Sequence, residues 1–150
     1  MAKCVYTLDD VVYTIGGARD QRTRETIADV ITSQYNPATN TVISTQKAKM
    51  QISRASFGCT YSPSKNEIFV AGGYTEGVLS KKCEKYSVAN DKWEWLPDMN
   101  EMKGSMSLCL VDEGRYLYSI GGLSKIEGSA SVQLNTTIER LDLTNPSASW

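Results

Sequence analysis

The side chains of this sequence best suited to bind a metal or act as nucleophiles are Cys4, Cys59, Cys83 and Cys109, and three of the four keep a nearly constant distance from a glycine pair. Cys4, Cys59 and Cys109 stand 12, 13 and 12 residues before Gly16, Gly72 and Gly121. A zinc site of this kind needs cysteines grouped as CxxC or completed by histidine. The sequence has neither: no two cysteines are so spaced, and the histidine count is 0. The same lack removes Ser-His-Asp and Cys-His arrangements from within these residues. Asp98, Glu101, Asp112 and Glu113 fall in turn-like segments without an obvious acid or base partner. We therefore assign no catalytic residue, no metal ligand and no cofactor. Apolar neighbours such as Val5, Leu108 and Leu110 make the cysteines reduced, small hydrophobes packed near the centre of the fold. A disulfide would need Cα atoms within about 7 Å, closer than the inner strands of successive repeats should approach.

The glycine pairs raise a second possible chemistry, the cradling of phosphate. Gly16-Gly17, Gly72-Gly73 and Gly121-Gly122 close VYTIGG, IFVAGG and LYSIGG. None continues into the Gly-x-x-x-x-Gly-Lys-Ser/Thr spacing or a helix start that a phosphate loop requires. A glycine pair ending a strand also has a purely architectural use, since it lets neighbouring chain pack directly on the backbone.

The elements that carry these residues recur. The pairs are 56 and 49 residues apart, and each is followed by a second shared block: SQYNPATNTV (33–42), EKYSVANDKW (84–93) and ERLDLTNPSASW (139–150). In that alignment Tyr35, Tyr86 and Leu141 share one position, and Val42, Trp93 and Trp150 another. Upstream, CVYTL (4–8), FGCTYS (57–62) and SLCLV (107–111) are short β-rich runs separated from the glycine-ending run by polar turns. Each unit thus predicts a hairpin, a third alternating strand, a turn and a fourth strand. Four strands in about 50 residues is the period of a propeller blade.

Charge narrows the partners. The 150 residues carry a formal net charge of -1 with both signs interspersed, which predicts neither nucleic-acid nor membrane binding. Asp9 and Asp10 interrupt any secretory apolar core, and no run reaches the length of a membrane helix. The expected setting is soluble and cytoplasmic.

The combination of apolar-aromatic-x-apolar-Gly-Gly, a later Tyr and then a Trp after an Asn-rich turn resembles the kelch repeat. The second unit, IFVAGGYTEGVLSKKCEKYSVANDKWEWLPDM, matches most fully, with Glu84, Tyr86, Trp93, Leu96 and Met99 in place. The first unit departs with Val42 for Trp and the third with Leu141 for Tyr. The resemblance implies an all-β fold: residues 1–150 as a partial kelch-type β-propeller of three four-stranded blades, 2–50, 51–101 and 102–150. The outer strand of the third is truncated at Trp150. A six-bladed ring is the expected whole, completed by further blades or by a larger assembly, with two copies in one ring the alternative.

Family resemblance also places binding on one rim, in the loops between the second and third strands and between blades. The former are 18–29, 74–82 and 123–136, which differ in length, charge and chemistry. Tyr74 matches a tyrosine after Gly-Gly that touches bound peptide in several members. Arg54 lies where the family places an Arg-Ser-Gly segment. The partner-binding candidates are Arg19, Arg22, Arg24, Arg54, Tyr74, Glu76 and Lys125. The repeat framework is Gly16, Gly17, Gly72, Gly73, Gly121, Gly122, Tyr35, Tyr86, Trp93 and Trp150. The implied function is a noncatalytic scaffold or substrate-recognition module for a protein partner. A cytoskeleton-associated kelch protein is the second reading. A fragment of a propeller enzyme is the third, although kelch-like copper oxidases use His ligands that this sequence does not supply.

Overall fold

The structure is a computed structural model and describes residues 2–7, 9–20, 24–126, 128–129, 131–145 and 147–150. Every regular element among them is a strand. The first sheet runs β1 (Lys3–Tyr6), β2 (Val12–Asp20), β3 (Glu25–Asn36), β4 (Thr41–Lys47) in chain order. The second is built from β5 (Gly58–Ser62), β6 (Glu67–Ala71), β9 (Cys83–Ser87) and β10 (Lys92–Leu96), again as a meander. The third pairs β12 (Ser107–Val111), β13 (Tyr116–Ile120) and β16 (Ile138–Asp142). Two small additions lie between strands of these sheets: the ribbon β7 (Tyr74–Thr75) with β8 (Val78–Leu79), and β11 (Lys103–Gly104), β14 (Leu123–Lys125) and β15 (Val132–Leu134). Tight antiparallel turns need left-handed backbone, which Asn and Asp tolerate best among non-glycine residues. Asn40, Asn66 and Asp91 supply it at φ 54, 51 and 49.

Strict alternation along β6 explains why the sheets stack. Ile68 and Val70 point one way and join Tyr13, Ile15, Val30, Phe57, Tyr86 and Trp93 in a core between the first and second sheets. Phe69 and Ala71 point the other way and join Cys83, Met99, Met106, Leu108, Leu117 and Leu141 between the second and third. The middle sheet is therefore buried on both faces, which is how a propeller blade sits between its neighbours. The assembly is a partial β-propeller. Its two end faces carry exposed apolar side chains, Tyr6, Ile31, Tyr35 and Val42 on the first sheet and Val111, Ile120 and Ile138 on the third.

The tryptophans fasten each blade to the one before. Trp93 donates its indole N–H to the Ala48 carbonyl at 2.9 Å, and Trp150 donates to Pro97 at 2.8 Å. The two acceptors each stand two residues before a buried methionine, Met50 and Met99, so the two bonds are copies of one another. Trp95, two residues from Trp93, is half exposed with Lys82 Nζ 5.9 Å from the centre of its ring.

Register corrects two sequence alignments. In the second blade Ile68 pairs with Tyr86, whereas in the first the corresponding Val12 pairs with Ser33. Tyr35 thus lies two residues beyond the place of Tyr86, and is 58% exposed against 0%. The cause is the length of the β3–β4 hairpin: its tip chemistry is conserved, with Tyr35 donating to Asn40 as Tyr86 donates to Asp91, but the whole tip is displaced outward. Likewise Cys109 pairs with Tyr118, while Cys4 and Cys59 pair with Thr14 and Val70. Leu108 occupies the true equivalent, so Cys109 points to the opposite face.

Candidate functional site

The glycine-pair ends of the blades converge on a groove of about 660 Å³. Its walls come from all three repeats: Ala18, Arg24 and Thr26 from the first, Tyr74, Val78 and Leu79 from the second, Lys125 and Val132 from the third. The segment between the first two blades adds Ala55 and Ser56. The connections that the sequence marked as loops are in fact hairpins: β2 and β3 pair on to Asp20 and Glu25, β7 pairs β8, and β14 pairs β15. Paired backbone gives these rims a defined shape.

Next to the groove the second blade holds a buried ion pair. Arg54 and Glu84 are both fully buried, with Nη2 2.6 Å from Oε1. Nη1 of Arg54 donates to the carbonyls of Gly72 and Lys82, each at 2.8 Å. Its own carbonyl accepts from Gly17 of the preceding blade at 2.8 Å. Burial pushes the guanidinium below its ordinary pKa, and Glu84 opposes that shift. The arrangement repeats once. Lys103 Nζ lies 2.8 Å from Glu139, and the Lys103 carbonyl accepts from Gly73 at 2.8 Å. Glu84 and Glu139 each also accept the backbone N–H of the segment entering the blade, from Gln51 at 2.7 Å and Asn100 at 2.6 Å.

Of the sequence candidates, Arg24, Tyr74 and Lys125 are brought together in the groove. Arg54 is not a surface residue: its side chain is spent on Glu84 and two carbonyls inside the blade, which withdraws it from partner contact. Arg19 is exposed and paired with Glu25 at 3.1 Å. Glu76 is exposed at the β7–β8 turn, where its backbone N–H donates to Thr26 at 3.3 Å. Arg22 lies outside the described residues. Thr26, Val78, Leu79 and Val132 line the groove without having been singled out. Aliphatic residues in otherwise polar rim segments were the available signal for Val78 and Val132.

Cys83 is buried and Cys59 and Cys109 are half-buried, but Cys4, expected to pack near the centre of the fold, is exposed because the face of the first sheet that it shares with Thr14 has no sheet against it. All four cysteines are free, and burial pushes the Cys83 thiol up to about 12. Among Cys4 and Cys83, iodoacetamide at neutral pH is expected to modify exposed Cys4 and to reach Cys83 only after unfolding. Mass mapping of the modified peptides checks this, and early labelling of Cys83 would contradict the packing. Among the described residues no group of three or more metal-ligating side chains occurs, and no helix is long and apolar enough to cross a membrane.

One surface carboxylate couples blade two to the end of blade one. Asp91 accepts the Tyr86 hydroxyl at 2.6 Å and the Ala48 N–H at 2.8 Å, and these bonds hold its pKa below the usual value. A depressed folded pKa contributes stability above the unfolded value and loses it as pH falls through the folded one. The Ala48 amide protection factor is therefore expected to hold at neutral pH and to fall below about pH 4. Hydrogen exchange on the wild type and on Asp91→Asn, whose profile should lack that step, measures it.

A family model described as the Kelch motif matches residues 55–100, the stretch from Ala55 to the end of the second blade. Kelch-like protein 40 of Xenopus laevis is 30% identical over 134 residues, covering 89% of this chain and 20% of that protein. The Mus musculus Kelch-like protein 40 is 32% identical over 119 residues, 79% of this chain and 17% of the relative. A RING finger domain and kelch repeat-containing protein of Dictyostelium discoideum is 29% identical over 132 residues, 87% of this chain and 12% of the relative. The chain thus spans a fifth or less of the length of these relatives. Three stacked antiparallel sheets, two of them four-stranded, the first two glycine pairs met by the carbonyls of Arg54 and Lys103, interblade tryptophans and these likenesses agree: the chain belongs to the kelch-repeat family.

Proposed function

We propose that this chain is a noncatalytic protein-interaction module that holds a partner protein in the groove at its glycine-pair rim. The observation that carries the reading is that the three blades, alike in framework, bring unlike side chains to one cavity, Arg24 from the first, Tyr74 and Val78 from the second and Lys125 and Val132 from the third. A rigid scaffold presenting varied rim residues is the usual arrangement of a recognition surface. The relatives are kelch-like and kelch/BTB proteins, names that fit an adaptor in which a repeat domain selects a protein. Further blades against the exposed end faces belong to the same proposal, as does a cytoplasmic setting.

A photo-crosslinking amino acid placed at Val78 in the groove is expected to capture a discrete partner in cells. The same probe at Ser64, in the turn at the other end of β6, should not capture it. Tyr74→Ala is expected to reduce the Val78 crosslink at least several-fold, since a central aromatic anchor commonly carries much of an interface's energy. Equal capture from both positions, or no loss with Tyr74→Ala, would remove the groove as the binding surface.

A further inference from the structure

The outer edge of the first blade is built unlike those of the other two. β4 has 7 residues against 5 in β10 and 5 in β16. It pairs with β3 along its whole length, from Asn36 with Thr41 to Val30 with Lys47, without a break in register. Every residue from Thr41 to Gln46 is exposed, Val42 to 64% and Ile43 to 57%. None of these residues is charged, and Thr41, Val42, Ile43 and Thr45 are β-branched, which favours a stiff extended strand. Edge strands are ordinarily blunted by charge, proline or a bulge, because their unpaired backbone groups accept another strand. β10 follows that rule with Lys92 and Glu94, 3.4 Å apart, and β16 with Arg140 and Asp142. β4 carries no such device before Lys47. It also stands apart from the groove, to which the first blade contributes Ala18, Arg24 and Thr26.

The backbone of β4 shows which groups are open. The Thr45 carbonyl faces β3, where it accepts the Thr32 hydroxyl at 3.1 Å. Alternation in an antiparallel ladder then turns the N–H and C=O groups of Val42, Ser44 and Gln46 outward. The strand is complementary to itself at these groups. A second β4, turned antiparallel about a two-fold axis at Ser44, sets Ser44 against Ser44 and Val42 against Gln46, so that the outward groups of both copies are satisfied. Ile43 then lies opposite Thr45, a β-branched cross-strand pair of the stabilising kind. Lys47 comes opposite Thr41 at the end of the ladder. A parallel arrangement would bring the two lysines together, and like charges directly opposite are destabilising. Self-complementarity about one axis is what an isologous dimer requires.

We infer that β4 is a self-association edge, which pairs antiparallel with β4 of a second copy about an axis at Ser44 and continues the sheet of the first blade across both chains. Such a strand pair buries less than the roughly 1,200 Å² of a standard interface, so the dimer is a weak, reversible one. It leaves the groove of each copy open, and a partner held there would be presented twice.

Sedimentation velocity of the whole chain from about 1 µM to about 500 µM, a range suited to a weak interface, tests it. The sedimentation coefficient is expected to rise from that of a monomer to that of a dimer. Ser44→Lys and Ser44→Glu each set like charges against one another at the axis and should weaken the dimer at least several-fold. An equimolar mixture of the two variants should restore it, which also shows that both are folded. Glu94→Gln, on the edge of the second blade, should change nothing. In a Cys4→Ser background, air oxidation should link Ser44→Cys into a covalent dimer, since residues opposed on paired strands lie within disulfide reach. Thr41→Cys, carried away from its copy by the antiparallel register, should stay unlinked. A wild-type chain that is monomeric throughout would overturn the inference and leave the edge to a strand of another protein or to none. A dimer indifferent to both Ser44 variants, as one stacked through the end faces would be, would overturn it too. So would a mixture that stays monomeric, or equal linking from positions 41 and 44.

Discussion

Glu84→Ala is expected to lower the unfolding free energy by about 3–5 kcal/mol, the cost of leaving one member of a buried ion pair without its partner. Arg54 and Glu84 are each 0% exposed, so water cannot replace what is lost. An arginine also stays protonated at neutral pH, which denies it the escape a buried lysine has. The alanine removes the acceptor of Arg54 Nη2 and of the Gln51 N–H together, while Nη1 keeps its two carbonyls. Because Arg54 also takes the Gly17 N–H on its carbonyl, a shift of its side chain loosens the joint between blades as well as the second blade. The control is Arg54→Met/Glu84→Gln, which removes the charge from both sites. Hydrophobic or neutral replacement of a whole buried pair is often close to neutral, so the double variant should be more stable than Glu84→Ala. Urea unfolding of the three proteins measures the difference. A single alanine that costs under about 1 kcal/mol would mean the pair behaves as a surface contact, contrary to its burial.

That ion pair also shows where sequence reasoning reached its limit. Glu84 was legible as a repeat position, and Arg54 as part of a segment between blades, yet nothing in the order of residues says that the two meet. Their separation of 30 residues is bridged by the stacking of β9 against the segment entering β5, and that is a tertiary event. A charged residue in a polar connecting segment is most often exposed, so the sequence favoured the wrong side of the surface for Arg54. The hairpins were legible because alternation and turn residues are local. The misplaced Tyr35 has a related origin: tip chemistry is local and repeats faithfully, but the length of β3 relative to β2 is fixed only by pairing. Arg24, Tyr74 and Lys125 were named from the rim segments, while their gathering into one groove depended on the stack of sheets. Val78 and Val132 escaped notice because one or two aliphatic residues in a polar stretch carry no period.

Gly72→Ala is expected to destabilise the protein by about 3 kcal/mol or more, and Gly121→Ala by about 1–2 kcal/mol, although the two glycines share a sequence position and a backbone conformation. Their φ values are +60 and +62, so the left-handed strain of a Cβ is common to both. The surroundings differ. At Gly72 the added carbon would lie 2.4 Å from the Lys103 carbonyl oxygen, 2.7 Å from Met106 Cε and 2.9 Å from Met99 Cε. A methionine methyl can swing aside, but the carbonyl is tied down by the Gly73 N–H at 2.8 Å. Relieving the clash therefore breaks the backbone bond that joins blades two and three and drags on the Lys103–Glu139 pair. Among the described residues Gly121 meets only the Asn135 carbonyl, at 3.3 Å, a contact that gives with a small shift. Thermal unfolding of both alanine variants separates strain, which they share, from interblade packing, which only Gly72 has. Equal losses would show that the glycine pair is required for its dihedral angles alone; a larger loss at Gly72 identifies it as the place where one blade's backbone rests directly on the next.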